Sequence, residues 1–236
     1  MRSKLQYVFV FTLFFHLIYS QEKKDNFTLR FTIKYENESL VQNKKYISST
    51  KDTLQIESFR FYVSNIKLIL KDNSVISEDN SYHLIDLEEP NSQLIYLPKK
   101  PNLEIIKVIF SVGIDSTSSV SGALSGDLDP TKGMYWAWQS GYINFKIEGK
   151  SSSCKTRNNA FQFHVGGYLK PNYAIRTIEL EPRISNFEIN VDLSRLFNQI
   201  KLSETNSIMI PGSKAMDLAD KAKLMFSISQ SLPNEN

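Results

Sequence analysis

Cysteine occurs once in the 236 residues, as Cys154, tryptophan twice, and histidine three times. A lone thiol excludes any disulfide within the chain. Cys154 sits in the polar run GKSSSCKTRNN, where the open roles are simple packing, a reactive thiol, a bridge to another chain, or a soft metal ligand. A dominant charge is missing too, since 28 Lys and Arg stand against 25 Asp and Glu. No clustered basic face is visible of the kind that nucleic acid or an anionic membrane calls for. Motifs for hydrolysis are also absent. There is no HExxH, and GALSG sets Ser125 between Gly122 and Gly126 at the wrong spacing for a nucleophile elbow. DLDPTKG fails as an EF-hand loop, because Lys132 stands where Gly is needed and Trp138 where the closing Glu belongs. The chain reads as a binding protein, not an enzyme.

Long apolar runs are missing everywhere except at the start. There LQYVFVFTLFFHLIY follows Arg2 and Lys4, ends at Ser20, and gives way to QEKKDN. It is shorter than the roughly 20 apolar residues a membrane span needs, and its basic start and polar exit read as a secretory signal peptide over residues 1–20. The expectation is a single exported domain over residues 21–236, with no membrane span, located in the periplasm, at the cell surface or outside the cell. Removing the leader takes away Arg2, Lys4 and His16. The remainder is close to neutral and keeps only His83 and His164.

What is present is strand patterning. FTLRFTIKY alternates through Phe27, Leu29, Phe31, Ile33 and Tyr35, and FEINVDL through Phe187, Ile189, Val191 and Leu193. SFRFYVSNIKLIL, SYHLIDL, EIIKVIFSVGI, GYINFKIEG, AFQFHVGGYL and AIRTIEL are further strand candidates, separated by polar turn-like runs such as KDNSVISEDN. Many strands with short connections predict an all-β fold, an antiparallel β-sandwich of immunoglobulin-like or related type. One short C-terminal helix is expected in PGSKAMDLADKAKLMF, with Leu218, Ala222, Met225 and Phe226 on one face and Pro211 and Gly212 at its entry. The tail QSLPNEN is expected to be loose.

Both tryptophans fall in GMYWAWQSGY, behind the Ser-, Gly- and Asp-rich loop at residues 115–133. Extended backbone puts Met134, Trp136 and Trp138 on one face. The following YINFKI has its apolar residues at odd positions, Ile143, Phe145 and Ile147, so the parity reverses. Either the strand breaks near Ser140 and Gly141 and the indoles are core, or the pair faces away from the core as a presented aromatic site. His164 is out of phase with Phe161, Phe163 and Val165 and precedes Gly166 and Gly167, which leaves it free to be a ligand. His83 shares the phase of Ile85 and Leu87 and reads as a satisfied core residue.

DLDPTKGMYWAWQSGYINFKIEG followed by FQFHVGG, with FYVSNIKLI and HLIDLE upstream, resembles the MbnP-like family of secreted copper-binding bacterial proteins. The resemblance runs from about Phe27 to Phe226. It implies a mostly β fold, export, and a role in copper acquisition, storage or delivery. In some relatives a Trp is oxidised to kynurenine by a dihaem cytochrome c peroxidase-like partner and joins histidines at a Cu(I) site. Carried onto this chain, His83 and His164 are the imidazoles, Trp136 or Trp138 the modified residue, and Met134 a soft neighbour. The chemistry is sound: an intact indole N–H only donates, whereas ring opening creates an aryl amine able to ligate. The competing expectation is a metal-free binding or adhesion module in which Trp136, Trp138, Tyr135 and Tyr142 form a stacking platform.

Overall fold

A computed structural model of the chain describes residues 26–98, 104–182 and 188–229. The expected signal peptide, the C-terminal tail and Phe187 lie outside the described residues. In chain order the strands are β1 (Asn26–Tyr35), β2 (Glu38–Ser39), β3 (Lys45–Ile47), β4 (Thr53–Leu70), β5 (Val75–Asp86), β6 (Leu94–Pro98), β7 (Ile105–Val112), β8 (Tyr135–Trp136), β9 (Gly141–Ser151), β10 (Ala160–Gly166), β11 (Arg176–Leu180), β12 (Ile189–Asp192), β13 (Ser207–Ile208) and β14 (Phe226–Ile228). Among the described residues three α-helices accompany them, α1 (Ser116–Val120), α2 (Leu193–Phe197) and α3 (Ser213–Ala222). Among the described residues no helix is long and apolar enough to cross a membrane.

Alternation becomes burial where the sequence is most regular. Leu29, Phe31, Ile33 and Tyr35 of β1 all point into the core. The strands form two sheets. The smaller runs β14-β12-β1-β2 with β6 also on β1, and the larger runs β11-β7-β4-β9-β10-β13, with β3 and β5 on β4 and β8 on β9. The two sheets share one apolar core. Phe31 of β1 meets Phe61 of β4 edge-on at 5.9 Å and Phe110 of β7 at 5.5 Å between ring centroids. Helix α3 adds Ala215, Leu218, Ala219 and Ala222 to the same core.

The mostly β expectation holds, as does a short helix after Pro211 and Gly212. Two details are corrected. The helix ends at Ala222, Met225 lies in a 3-10 turn, and Phe226 opens β14. The sheets are mixed instead of purely antiparallel, because β12 lies parallel to β1 and β13 parallel to β10. No hairpin turn joins either pair; the late strands arrive after long connections, which leaves their direction free. The polar run KDNSVISEDN also conceals half a strand. The turn ends before Val75, and β5 then runs with alternating exposure, paired among the described residues to β4 alone. A strand with one free edge tolerates such polar residues.

Strand β4 organises the larger sheet. Its residues 60–69 pair with β5, whereas residues 54–61 pair with β9 and residues 63–70 with β7. β7 and β9 diverge at a fork beside Tyr62. There the buried Asn144 accepts a hydrogen bond from the Ile114 N–H at 3.1 Å, and the Gly113 N–H reaches the Tyr62 carbonyl at 3.0 Å. The Ser-, Gly- and Asp-rich segment leaves from this fork and folds over the outer face of the larger sheet. It builds a second, smaller core from Tyr62, Leu84, Leu128, Met134, Trp136 and Tyr142, with Ile114 and Ile143 beside them. Tyr62 donates to the Asp127 carbonyl and Tyr142 to the Leu128 carbonyl, each at 2.9 Å, so the buried hydroxyls are satisfied.

Phe61 is fully buried and touches the rings of Phe31, Phe59 and Phe226. Phe61→Ala is expected to lower unfolding stability by about 3–5 kcal/mol. A denaturant titration reads this as a lower midpoint with an unchanged slope.

Candidate functional site

The aromatic segment is a hairpin. Asp129 caps a 3-10 turn at Pro130–Lys132 through the Thr131 N–H, after which the chain enters β8. β8 pairs antiparallel with the start of β9, Tyr135 opposite Tyr142 and Trp136 opposite Gly141. The chain reverses at Ser140, whose φ is 51°, and this reversal explains the parity switch. Each expectation for the indoles turns out to apply to one of them. Trp136 is 6% exposed and belongs to the second core, whereas Trp138 is 63% exposed. Their ring centroids are 5.8 Å apart with planes at 46°.

Two glycines make this possible. A Cβ on Gly141 would stand 2.6 Å from the ring of Tyr168, and one on Gly166 would stand 2.8 Å from the Trp136 indole and 2.5 Å from the Tyr142 carbonyl oxygen. Trp136 therefore rests directly on the backbone of β10, two residues beyond His164. A register shift follows Val165, but Gly166 lies opposite Ile143 of the second core and His164 opposite Lys146, which alternates with the inward Phe145 and Ile147, so His164 and Trp136 are both on the outer side of the larger sheet.

His164 is 8% exposed. Its Nε2 lies 2.8 Å from Oε1 of Glu148, across on β9. Ser58 Oγ donates to Glu148 Oε2 at 3.2 Å, and Lys146 Nζ lies 3.5 Å from the same oxygen. The hydrogen bond from His164 pulls the Glu148 carboxyl down to about 2, against the opposing effect of burial and with help from the Lys146 charge. His83 makes a similar pair, its Nε2 2.8 Å from Glu78 Oε2. It lines an open groove of about 660 Å³ with Arg60, Asp86, Asp127 and Lys132. The charges there satisfy one another: Arg60 Nε meets Asp86 at 2.7 Å, and Lys132 Nζ meets Asp127 at 2.7 Å.

The structure does not bring the two histidines together. Register runs from His164 to Lys146, from Lys146 to Arg60, and from Arg60 to Asp86. Three strand spacings separate the ends of that row by about 14 Å. His83 stands three positions further along β5, opposite Val63. A single ion bound by both imidazoles is therefore corrected: strands β9 and β4 intervene. Met134 is fully buried beside Tyr62 and Leu84, as a packing residue. Among the described residues no group of three or more His, Cys, Asp or Glu side chains forms a metal-sized cluster. Cys154 is buried in the main core, its thiol pushed up to about 11 by burial and by Asp52, which makes it a poor nucleophile and an inner packing group. Glu148 was not singled out from sequence. The available signal was the hairpin GYINFKIEG–KSSSCKTRNN–AFQFHVGG, whose antiparallel pairing sets Lys146 and Glu148 beside His164.

Taken as a class, this is a mostly β protein of two packed sheets with an indole hairpin and a carboxylate-backed histidine on one outer face. The family model for MbnP matches residues 24–210, and the chain belongs to the MbnP family. A solved structure, MbnP from Methylosinus trichosporium, is similar over 86% of this chain and 97% of its own, with a TM-score of 0.62 and 14% identity. That likeness is one of fold. No curated protein sequence matches the chain.

Glu148 yields a signed pH expectation. Its folded pKa of about 2 lies below the ordinary 4.5, so its stabilising contribution is present above about pH 4.5 and is lost as pH falls toward 2. Glu148→Ala should cost about 1–2 kcal/mol at pH 7 after allowance for partial exposure, and much less at pH 2.5. Urea titrations at both pH values measure the difference. Gly166→Ala should drive the indole off β10, seen as a red-shifted Trp136 emission with the fold retained in far-UV circular dichroism.

Proposed function

We propose that this chain is an exported copper-binding protein whose metal chemistry is centred on His164 and Trp136. Family membership supports the copper link. The observation that carries the site is a carboxylate-backed imidazole on the strand that the Trp136 indole rests on. A metal-ligating histidine characteristically gives its second ring nitrogen to such a group, which orients the ring and raises its basicity. His83, backed by Glu78 in the same way, has no such indole beside its strand among the described residues. Glu148 occupies that place for His164, which leaves Nδ1 as the nitrogen for a ligand.

The residues fit copper only in part. His164 supplies one imidazole, and Trp136 supplies a second nitrogen donor only after its indole is opened to kynurenine, because the intact ring has no lone pair to offer. Copper in its lower oxidation state accepts such a small set of borderline nitrogen donors. The oxidation cleaves the indole C2–C3 bond, leaves oxygen on C3 as the ketone and releases C2 as formate. It belongs to a separate partner of the dihaem cytochrome c peroxidase-like kind that the resemblance implies, with a peroxide-level oxidant. Trp138, exposed and 5.8 Å from Trp136, is positioned to pass an electron hole inward from that partner. Glu148, itself held by Ser58 and Lys146, fixes the imidazole, and the Trp136 indole lies over Gly166 two residues along the same strand. His83, with its own glutamate and groove, is not part of this centre.

The test uses protein purified from its native host. Intact mass should show a few daltons added at one tryptophan, located by peptide mapping to Trp136, and atomic spectrometry should find bound copper. His164→Ala should abolish the copper, whereas His83→Ala should retain it. Copper stoichiometry near zero, indifferent to both substitutions, would favour the metal-free aromatic module instead.

A further inference from the structure

Several loops converge beside the exposed tryptophan. Tyr168 lies against Gly141 at the foot of the indole hairpin, and its hydroxyl donates to the Ser140 carbonyl at 3.3 Å. Its own carbonyl accepts from Ser116 Oγ at 2.8 Å, which ties the start of α1 to the same place. Gly166 carries the Trp136 indole, and the next residue, Gly167, lies beside Pro211. From these neighbouring segments Trp138, Leu169 and Ile210 project with 63, 56 and 62% exposure. Tyr173, in the segment after β10, and Val120, at the end of α1, are exposed as well. Single exposed apolar side chains are ordinary, but a group of them on adjoining loops marks an interaction surface.

The sequence alone points to no anionic membrane, but the fold gathers loops whose charge is one-sided although the chain as a whole is near neutral. Residues 116–126, 137–147, 160–178 and 205–216 contain no Asp or Glu. Lys170 and Lys214 stand exposed in two of these segments. Of the carboxylates that bound these segments, Asp115 is turned inward onto the Tyr82 hydroxyl and the Ser118 N–H, and Asp127, Glu148, Glu179, Glu204 and Asp217 each lie in an ion pair with a lysine. A protein surface of mixed charge would be matched by acids as well as lysines. A sheet of anionic headgroups over hydrocarbon asks instead for apolar tips, indole and phenol rings, and lysines alone.

We propose that this loop end docks on the surface of an anionic phospholipid bilayer, with Trp138, Leu169 and Ile210 entering the interface and Lys170 and Lys214 facing the lipid phosphates. The inference is independent of any metal at His164. Docking holds the outer sheet face close to the bilayer without any segment crossing it.

Vesicle co-sedimentation tests the proposal, using the full protein with phosphatidylcholine vesicles and with phosphatidylcholine vesicles containing phosphatidylglycerol. Binding should be stronger to the anionic vesicles and should weaken as salt is raised. The triple variant W138S/L169S/I210S should lose at least roughly tenfold in vesicle affinity. The double variant K170E/K214E should lose the preference for phosphatidylglycerol. All five side chains are exposed, so thermal melting should confirm that both variants fold. A blue shift of the native protein's emission on adding anionic vesicles, traced to Trp138 by its loss in Trp138→Phe, provides a second readout. The proposal is overturned by absence of co-sedimentation, by equal affinity of native protein and triple variant, or by vesicle-independent self-association that the triple variant removes. That last result would assign the surface to a second copy of the chain.

Discussion

Burial of both faces of one long strand at its centre, residues 61–64, is the constraint on which the rest of the structure depends. β4 spans Thr53–Leu70. Phe59, Phe61 and Val63 face the core shared with the smaller sheet, while Tyr62 faces the second core on the outer side. A strand buried on both sides needs cover on both sides, since each exposed apolar ring forfeits roughly 1.5–3 kcal/mol of transfer energy. The smaller sheet and α3 supply one cover. The segment between β7 and β9 supplies the other, and in doing so it places the indole hairpin where it is.

The fork between β7 and β9 follows from the same strand. β4 is too long for one neighbour to pair along its whole edge, so two strands share it and part at Tyr62. The chain leaving β7 at the fork must turn outward, and the return into β9 brings it back over the outer face. Side-chain hydrogen bonds hold this excursion together: Asp115 caps α1, Asp127 accepts from the Leu84 N–H, and Asp129 caps the turn before the hairpin. The Asp residues that resemble a calcium loop in sequence are thus spent on backbone donors and on Lys132.

Much of the sheet content was legible in the sequence, for a physical reason. A strand with one buried face writes a period of two into its residues, and β1, β10 and β11 follow it closely. Of the strands that went unrecognised, β2, β8 and β13 are two residues long, too short to carry any period, whereas β6, LIYLP, is five residues long and was hidden by the turn-like run LPKKPN that overlaps its end. The expected helix ran past its real end because Met225 and Phe226 continue the apolar face after the hydrogen bonding has changed. Of the candidate site, the phase of His164 correctly placed it off the main apolar face. The phase of His83 correctly set it with Ile85, yet neither phase could say how many strands stand between the two rings. Family resemblance joined the histidines; the register of β10, β9, β4 and β5 separates them.

By itself the sequence determined which residues turn inward along each regular strand, that no disulfide staples the fold, and that the two indoles sit in one short segment. These are local properties, decided by side-chain type and spacing within about ten residues. Only the tertiary structure decided that Trp136 is packed on Gly166 while Trp138 stays in solvent, that Glu148 stands behind His164, and that His83 belongs to a different groove. Such relations depend on which strands lie side by side and in what register, and strand partners here are separated by as many as 158 positions along the chain, as Phe31 and Ile189 are. Local spacing carries no record of that distance; the packing of both faces of β4 does.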